Sequence, residues 1–109
     1  MSSRRAERLS SSIHRGVARE LQQLFPREHV TVSEVEITSD GKFAVIWISI
    51  LNDAESEQLF ARVIAHQGRL RSAVTKEAEL RRVPQIELRH DRRAQRAQEL
   101  DRLTRGDSA

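Results

Sequence analysis

The chain has 109 residues, no cysteine, and 19 basic against 16 acidic residues, which gives a formal net charge of +3. This length supports one domain with a single modest core, and the lack of cysteine excludes disulfide bonds, thiolate metal sites and cysteine nucleophiles. The longest apolar run, over residues 43–48, is far too short to cross a bilayer, so the sequence predicts a soluble, cytoplasmic protein.

Charge is distributed unevenly along the sequence. The local balance is +3 in residues 1–29, −4 in residues 30–66, +3 in residues 67–83 and +1 in residues 84–109. Positive charge therefore accompanies the two longest helix-like stretches, and this separation would orient the protein on a phosphate backbone. The alternative is that these charges only solvate the outer faces of helices.

The first element is a predicted helix from about Ala6 to Phe25. Its apolar residues recur at spacings of four, four, four and three, the period of a helix with one buried side: Leu9, Ile13, Val17, Leu21 and Leu24. Its arginines occupy an arc that does not overlap the apolar residues: Arg4, Arg5, Arg8, Arg15 and Arg19. Pro26 predicts the end of the helix, because proline disfavours helical backbone in the residue before it.

A β-hairpin is predicted next, with strands over residues 30–38 and 42–51 and a turn at Ser39-Asp40-Gly41. Because side chains alternate along a strand, the isoleucines of the second strand share one side, which we expect helices to cover. The other side presents Phe43, Val45 and Trp47. These three residues would form a partly covered face for a partner or a dimer contact, or a second layer such as the C-terminal tail would pack on them.

A long second helix is predicted to start at Asn52-Asp53, to be interrupted near Gly68, and to end before Pro84. Pro84 opens a third strand over residues 85–89, in which Ile86 and Leu88 share a face. Residues 92–103 contain good helix formers with little apolar surface, and the last residues should fray. We therefore divide the chain into a domain of residues 1–91 and a short basic C-terminal helix with its tail, residues 92–109.

The residues that usually support catalysis or metal binding are not arranged for it. His14, His29, His66 and His90 lie in separate elements or loops, none with a second ligand at helical spacing, so each is expected on a surface or a helix flank. The glycines stand alone and build no phosphate-binding loop. The sequence predicts no catalytic residue, no metal site, no cofactor and no small-molecule substrate.

Several segments, in this order, resemble the bacterial ribosome-binding factor A family. The resemblance covers about nine-tenths of the chain and rests on TVSEVEITSD at residues 31–40, AVIWI at 44–48, ILND at 50–53, GRLR at 68–71 and LRRVPQIEL at 80–88. The N-terminal run RRAERL at residues 4–9 and the Pro26-Arg27 pair also fit. The family usually has an Ala-x-Gly kink where other KH domains have a Gly-x-x-Gly loop, and here His66 occupies the alanine position of Ala65-His66-Gln67-Gly68.

The resemblance implies an α+β fold: a single KH-like (type II) domain in the order α-β-β-α(kinked)-β, with a three-stranded sheet covered by helices on one face. It also implies a non-catalytic ribosome biogenesis factor that binds the small (30S) ribosomal subunit and 16S rRNA during late maturation and rRNA processing. Cold adaptation is a further trait of the family, and no membrane is implied. We expect the protein to act as a monomer.

The expected RNA contacts are basic residues of the two helix-like stretches: Arg4, Arg5, Arg8, Arg15, Arg69, Arg71, Lys76, Arg81 and Arg82. Duplex RNA is recognised mostly through phosphates and shape, which suits arginines on rigid helices. Arg71 and Arg81 lie near the predicted buried side of their helix. The alternative function is a protein-interaction or dimerisation module that uses the Phe43, Val45 and Trp47 face.

Overall fold

The computed structural model describes residues 3–51, 54–78 and 84–107. The elements in chain order are α1 (Ser3–Leu24), β1 (Val30–Ile37), β2 (Phe43–Ile50), α2 (Ser56–Ala65), α3 (Gln67–Ala78), β3 (Gln85–Asp91) and α4 (Arg93–Asp107). The sheet has the order β1-β2-β3, with β2 antiparallel to β1 and parallel to β3. This arrangement confirms the predicted α+β fold with a three-stranded sheet and a divided helix.

One side of the sheet and the apolar sides of the helices form the core. On β2, Ala44, Ile46, Ile48 and Ile50 are at most 1% exposed, as the period-two pattern predicts. The helices bury Ile13, Val17 and Leu21 of α1, Leu59 and Val63 of α2, and Leu70 and Val74 of α3. The helices therefore cover the isoleucine side, and the Phe43, Val45 and Trp47 side faces away from the core.

A β-bulge in β1 explains how its valines and isoleucine all face the same side. Val32 and Val35 are three residues apart, so a regular strand would point them to opposite faces. The register shifts between Val32 and Glu34, and Val32 pairs with Ile48 while Val35 pairs with Ile46. The extra residue in the bulge keeps both valines on the core side. It also leaves Ser33 to donate to Asp91 Oδ2 at 2.6 Å.

The turn between β1 and β2 uses the residues that the sequence indicates. Gly41 has φ +73°, a conformation that costs glycine no steric strain. Its amide donates to Thr38 O at 2.9 Å. Asp40 Oδ1 accepts hydrogen bonds from Thr38 Oγ1 at 2.7 Å and the Lys42 amide at 3.0 Å. The Lys42 amide and then the Thr38 hydroxyl lower the pKa of Asp40.

The second helix is divided at His66. The α2 helix begins at Ser56, later than the predicted start at Asn52-Asp53, which lies outside the described residues, and its N-cap residue Glu55 makes no side-chain capping bond. The helix ends at Ala65, and the amide of its C-cap residue His66 donates to Val63 O at 3.0 Å. α3 then starts at Gln67 and contains Gly68 in its first turn. The interruption is therefore two residues earlier than the glycine.

Gly68→Ala is expected to stabilise the protein by about 0.5 to 1 kcal/mol, because alanine is the better helix former. A Cβ at position 68 would meet no atom within 4 Å. Urea unfolding of the wild type and the variant measures the difference. A loss of stability would show that the break after α2 depends on glycine at this position.

Helix side chains also cover carbonyl groups of the two edge strands. On β1, Val35 O accepts from Ser10 Oγ at 3.2 Å, and Val32 O lies 3.1 Å from His14 Nε2. On β3, Ile86 O accepts from Gln67 Nε2 at 3.2 Å. Such contacts reduce the capacity of an edge strand to pair with another chain.

The C-terminal helix α4 is attached mainly at its first residues. Asp91, which is 6% exposed, accepts hydrogen bonds from the amide of Arg93 at 3.0 Å, from the Arg93 Nη2 group at 2.7 Å and from Ser33. Further along α4, Leu100 and Leu103 are 65% and 61% exposed. In the described part of the chain, α4 does not form a packed layer over Phe43, which is 50% exposed. The boundary between residues 91 and 92 remains a proposal.

Candidate nucleic-acid interface

The outer side of α1 is cationic. Arg8, Arg15 and Arg19 lie within roughly 40° of one another around the helix axis at roughly 100° per residue, opposite the buried side. All three are exposed, and Arg15 Nη2 lies 3.5 Å from Ser12 Oγ. Arg4 and Arg5 belong to the first turn of α1, and their side chains are outside what the structure describes. A rigid helix therefore presents at least three guanidinium groups to solvent on one side.

Helix α3 packs beside α1 and runs in the opposite direction. The Phe25 ring, just after α1, lies 5.9 Å from the His66 ring between centroids, and Arg69 of α3 pairs with Glu20, further back along α1. Lys76 follows Arg69 by two helical turns on the same side of α3, so it lies toward the N-terminal half of α1. The cationic sides of the two helices consequently form one surface.

The Arg69–Glu20 ion pair changes the electrostatics of this surface. The Arg69 side chain is 54% exposed and the Glu20 side chain is 18% exposed. The positive charge of Arg69 is therefore partly offset within the protein. By contrast, Arg8 and Lys76 make no ion pair with any side chain that the structure describes.

The other predicted contacts do not join this surface in the same way. Arg71 is exposed, whereas its position in the sequence places it near the buried side of the helix. It lies about 200° around the α3 axis from Arg69 and so points away from α1. Arg81 and Arg82 lie outside the described residues. The surface shared by α1 and α3 therefore includes only some of the predicted RNA-binding residues.

Two further arginines belong to the surface. Arg62 of α2 lies over the Phe25 ring, with 5.2 Å between its Cζ atom and the ring centroid, and Arg19 is on the outer side of α1. Their spacing in the sequence indicates them: Arg62 is seven residues before Arg69, and Arg19 is four residues after Arg15, so in a continuous helix each would share a side with its neighbour. We call the surface made by Arg8, Arg15, Arg19, Arg62, Arg69 and Lys76 the cationic helix face.

The opposite side of the sheet is mixed in charge. Phe43 is exposed, and Val45 and Trp47 are half-buried. The indole Nε1 of Trp47 donates to Glu36 Oε1 at 2.6 Å, and the Arg89 Cζ atom lies 5.7 Å from the ring centroid of Trp47. Basic side chains here have acidic partners, as in Arg89–Glu87 and Arg93–Glu34. The sheet side therefore lacks the excess positive charge of the cationic helix face.

His90 is buried in β3, so the expectation of a surface position was wrong for this histidine. It is 8% exposed and stacks on Phe60 with 5.0 Å between ring centroids. The position continues the alternation of Ile86 and Leu88, which places it on the core side. Burial lowers the pKa of His90, and the charge of Arg92 lowers it further. The neutral ring is therefore the form that this site favours.

The end of β3 is tied to the start of α2 by Glu57. Its Oε1 atom accepts from Arg92 Nε at 2.8 Å and lies 3.4 Å from His90 Nδ1. The hydrogen bond from Arg92 lowers the pKa of Glu57.

No group of three His, Asp or Glu side chains among the described residues is placed to hold a metal ion. No described helix combines the length and apolar character needed to cross a membrane.

The cationic helix face consists of exposed basic side chains on packed helices. Exposed guanidinium and ammonium groups of this kind can bind polyanions. The stiffness of the packed helices fixes the spacing of these groups, which is what a structured phosphate backbone requires.

Comparison with known proteins identifies the family. A family model described as ribosome-binding factor A matches residues 4–104. Ribosome-binding factor A of Akkermansia muciniphila is 31% identical over 103 residues, which are 93% of this chain and 82% of that protein.

A crystal structure and a fitted homology model of a relative also have a similar fold. The crystal structure of ribosome-binding factor A from Thermus thermophilus matches with a TM-score of 0.64 and 22% identity, over 76% of this chain and 92% of that one. A homology model of the Thermus thermophilus protein was fitted into the cryo-EM map of a 30S complex with ribosome binding factor A. It matches with a TM-score of 0.58 and 25% identity, over 75% of this chain and 90% of that one. The family match spans nearly the whole sequence, and the order of elements agrees with it. The chain belongs to the ribosome-binding factor A family.

Proposed function

We propose that this protein binds the small ribosomal subunit during its late maturation and contacts 16S rRNA through the cationic helix face. It does so in the cytoplasm, as a monomer, without catalysing a reaction. The observation that carries the proposal is the one-sided placement of exposed basic residues on α1 and α3. The 30S complex of the Thermus thermophilus relative supports the small subunit as the partner.

The physical basis is contact with phosphates on folded RNA. A-form helices have a deep, narrow major groove that side chains cannot read, so proteins hold them by phosphates, 2′-hydroxyls and shape. Each neutralised phosphate releases counterions, which makes the affinity fall as salt rises. The proposed domain 1–91 supplies this face, and α4 lies outside it.

Co-sedimentation with purified small subunits tests the proposal. We expect the protein to pellet with immature subunits at low salt and to be released as salt increases. Depletion of the protein in its host should leave precursor 16S rRNA unprocessed. A protein that stays in the supernatant at low salt, in a host with normal subunit assembly, would contradict the proposal.

Glu20→Gln is expected to increase subunit affinity about twofold to threefold at low salt, because the substitution leaves the charge of Arg69 without its partner. The stability of the protein should change by less than about 1 kcal/mol, since the Arg69 side chain is half-exposed and solvent screens its charge. Titration of labelled protein with small subunits measures the affinity. The matched control is Glu99→Gln on α4, which should leave the affinity unchanged. Weaker binding by Glu20→Gln would show that the carboxylate is needed to position Arg69.

The second candidate function is a protein contact through Phe43, Val45 and Trp47. The observation that favours it is the 50% exposure of Phe43 on the sheet side. Trp47 already has a hydrogen bond to Glu36 and a cation above its ring, so less of this face is free for a partner. For that reason the cationic helix face is the better supported interface.

A further inference from the structure

A cleft lies between the second half of α1 and the start of β1. Its volume is about 560 Å³, within the range of roughly 300 to 1,000 Å³ that is usual for ligand pockets. The residues that matter for its chemistry are His14 and Arg19 on α1, Arg27 and His29 in the connecting loop, and the apolar Pro26 and Val30. We call it the α1–β1 cleft.

The polar lining of the cleft is suited to an anion. Arg19 and Arg27 contribute two positive charges, against one carboxylate, Glu28. Arg27 is exposed and makes no ion pair with any side chain that the structure describes. The imidazole of His29 adds a hydrogen-bonding group that suits phosphate or ribose oxygens.

The apolar lining is suited to the flat part of a nucleoside. Val30 is 6% exposed and Phe25 is 2% exposed, so both belong to a packed floor, and Pro26 is at the surface. The loop is fixed at its end, because the Leu51 amide donates to His29 O at 3.2 Å. The His14 ring is also held in place, with Nε2 at 3.1 Å from Val32 O. A cleft with rigid walls binds a ligand with less loss of conformational entropy.

The cavity beside Trp47 offers a comparison. It has a volume of about 440 Å³ and is lined by Arg92, Arg93 and Arg96. Two of these arginines are ion-paired within the protein, Arg92 with Glu57 and Arg93 with Asp91. These two ion pairs, together with the carboxylates of Glu34 and Glu36 in the same lining, make this cavity less suited to an anion than the α1–β1 cleft with its Arg27.

We propose that the α1–β1 cleft binds a nucleotide of single-stranded RNA, with its phosphate at Arg27 and Arg19 and its base against Pro26 and Val30. The proposal rests on the function proposed above, since Arg19 belongs to both surfaces. A duplex held on the cationic helix face would place an adjoining unpaired nucleotide at the mouth of the cleft. A concave site of this size excludes a duplex but admits one unstacked base, the form in which RNA bases are usually read.

Titration of the ¹⁵N-labelled full chain with the 5′-phosphorylated oligonucleotide pUUUU tests the proposal. We expect amide shifts at residues 27–32 and none at Gly41. Arg27→Ala combined with His29→Ala should weaken binding about fivefold or more, as loss of charge-assisted contacts predicts. Gln22→Glu, which adds a carboxylate to the lining, should weaken binding without removing a side chain. Arg102→Ala on α4 removes the same charge elsewhere and should leave binding unchanged.

Shifts of equal size with inorganic phosphate at the same concentration would overturn the proposal, because the apolar wall would then contribute nothing. Absence of shifts at residues 27–32, or equal binding by the double variant, would also overturn it. In either case, wild-type protein that still pellets with small subunits leaves the proposed function standing. If wild-type protein fails to pellet with subunits while pUUUU shifts the cleft residues, the proposed function fails and the RNA site remains.

Discussion

Subunit binding is expected to weaken at least tenfold when Arg8 and Lys76 are both replaced by alanine. Both side chains are exposed on the cationic helix face, and neither makes an ion pair with a side chain that the structure describes. Their full charge is therefore available to phosphates. Each lost phosphate contact should also reduce the slope of log K against log salt by about 0.7 to 0.9. Titration at several salt concentrations measures both effects.

The control for this prediction removes the same charge from another surface. Arg96 and Arg102 are exposed on α4, outside the cationic helix face, and their replacement by alanine lowers the net charge equally. If this control weakens binding as much as the Arg8 and Lys76 variant, total charge determines binding and its placement does not. If Phe43→Glu abolishes binding while the Arg8 and Lys76 variant binds normally, the contact is made by the sheet side.

The fold could be predicted from the sequence because its signals are local. Ile13, Val17 and Leu21 lie at helical spacing and are all fully buried. The alternation of Ile46 and Ile48 predicted which side of β2 the helices cover. Pro26 also predicted the end of α1, and Gly41 predicted the turn between β1 and β2, because their backbone restrictions act within one or two residues.

Pairs of residues far apart in sequence could not be predicted in this way. Glu20 and Arg69 are separated by 49 positions, and Ser33 and Asp91 by 58. Periodicity predicts the side of a helix or strand on which a side chain lies. The packing of one element against another decides which charged residue it contacts. The partial neutralisation of the Arg69 charge by Glu20 could therefore be seen only in the structure, where α1 packs on α3.

The β-bulge and the burial of His90 illustrate the same limit. The spacing of Val32 and Val35 conflicts with a regular strand, and only the pairing with β2 reveals that an extra residue resolves it. His90 follows Ile86 and Leu88 in the alternation of β3. Histidine is intermediate in its tendency to be buried, so composition alone did not place it in the core.

Asp91→Ala is expected to lower the free energy of unfolding by about 2 kcal/mol at neutral pH. The Asp91 side chain satisfies the first backbone amide of α4, since its Oδ1 accepts from the Arg93 N–H at 3.0 Å. Its Oδ2 accepts from Ser33 at 2.6 Å and from Arg93 Nη2 at 2.7 Å. Alanine removes all of these bonds and leaves the Ser33 hydroxyl without this partner. Urea unfolding of both proteins measures the difference.

The pH dependence identifies the charged form of Asp91 as the stabilising one. The Arg93 side chain, followed by Ser33 and the Arg93 amide, holds the pKa of Asp91 well below its usual range against the opposing effect of burial. A carboxyl group whose pKa is lower in the folded state stabilises above its unfolded pKa of about 4, and this stabilisation is lost as pH falls below that value. The difference between wild type and Asp91→Ala should therefore be largest at neutral pH and shrink below about pH 4.

Two variants separate the capping role of Asp91 from its charge. Asparagine is as good a helix cap as aspartate, so Asp91→Asn should keep the bond from the Arg93 amide through Oδ1. Its amide nitrogen cannot accept from Ser33 or from Arg93 Nη2 as Oδ2 does, so we expect an intermediate stability without the acid dependence. Glu99→Ala removes an exposed carboxylate from the same helix and should change stability by less than about 0.5 kcal/mol. If Asp91→Ala is no less stable than Glu99→Ala, the buried carboxylate does not fix α4 to the sheet, and the attachment of this helix has another cause.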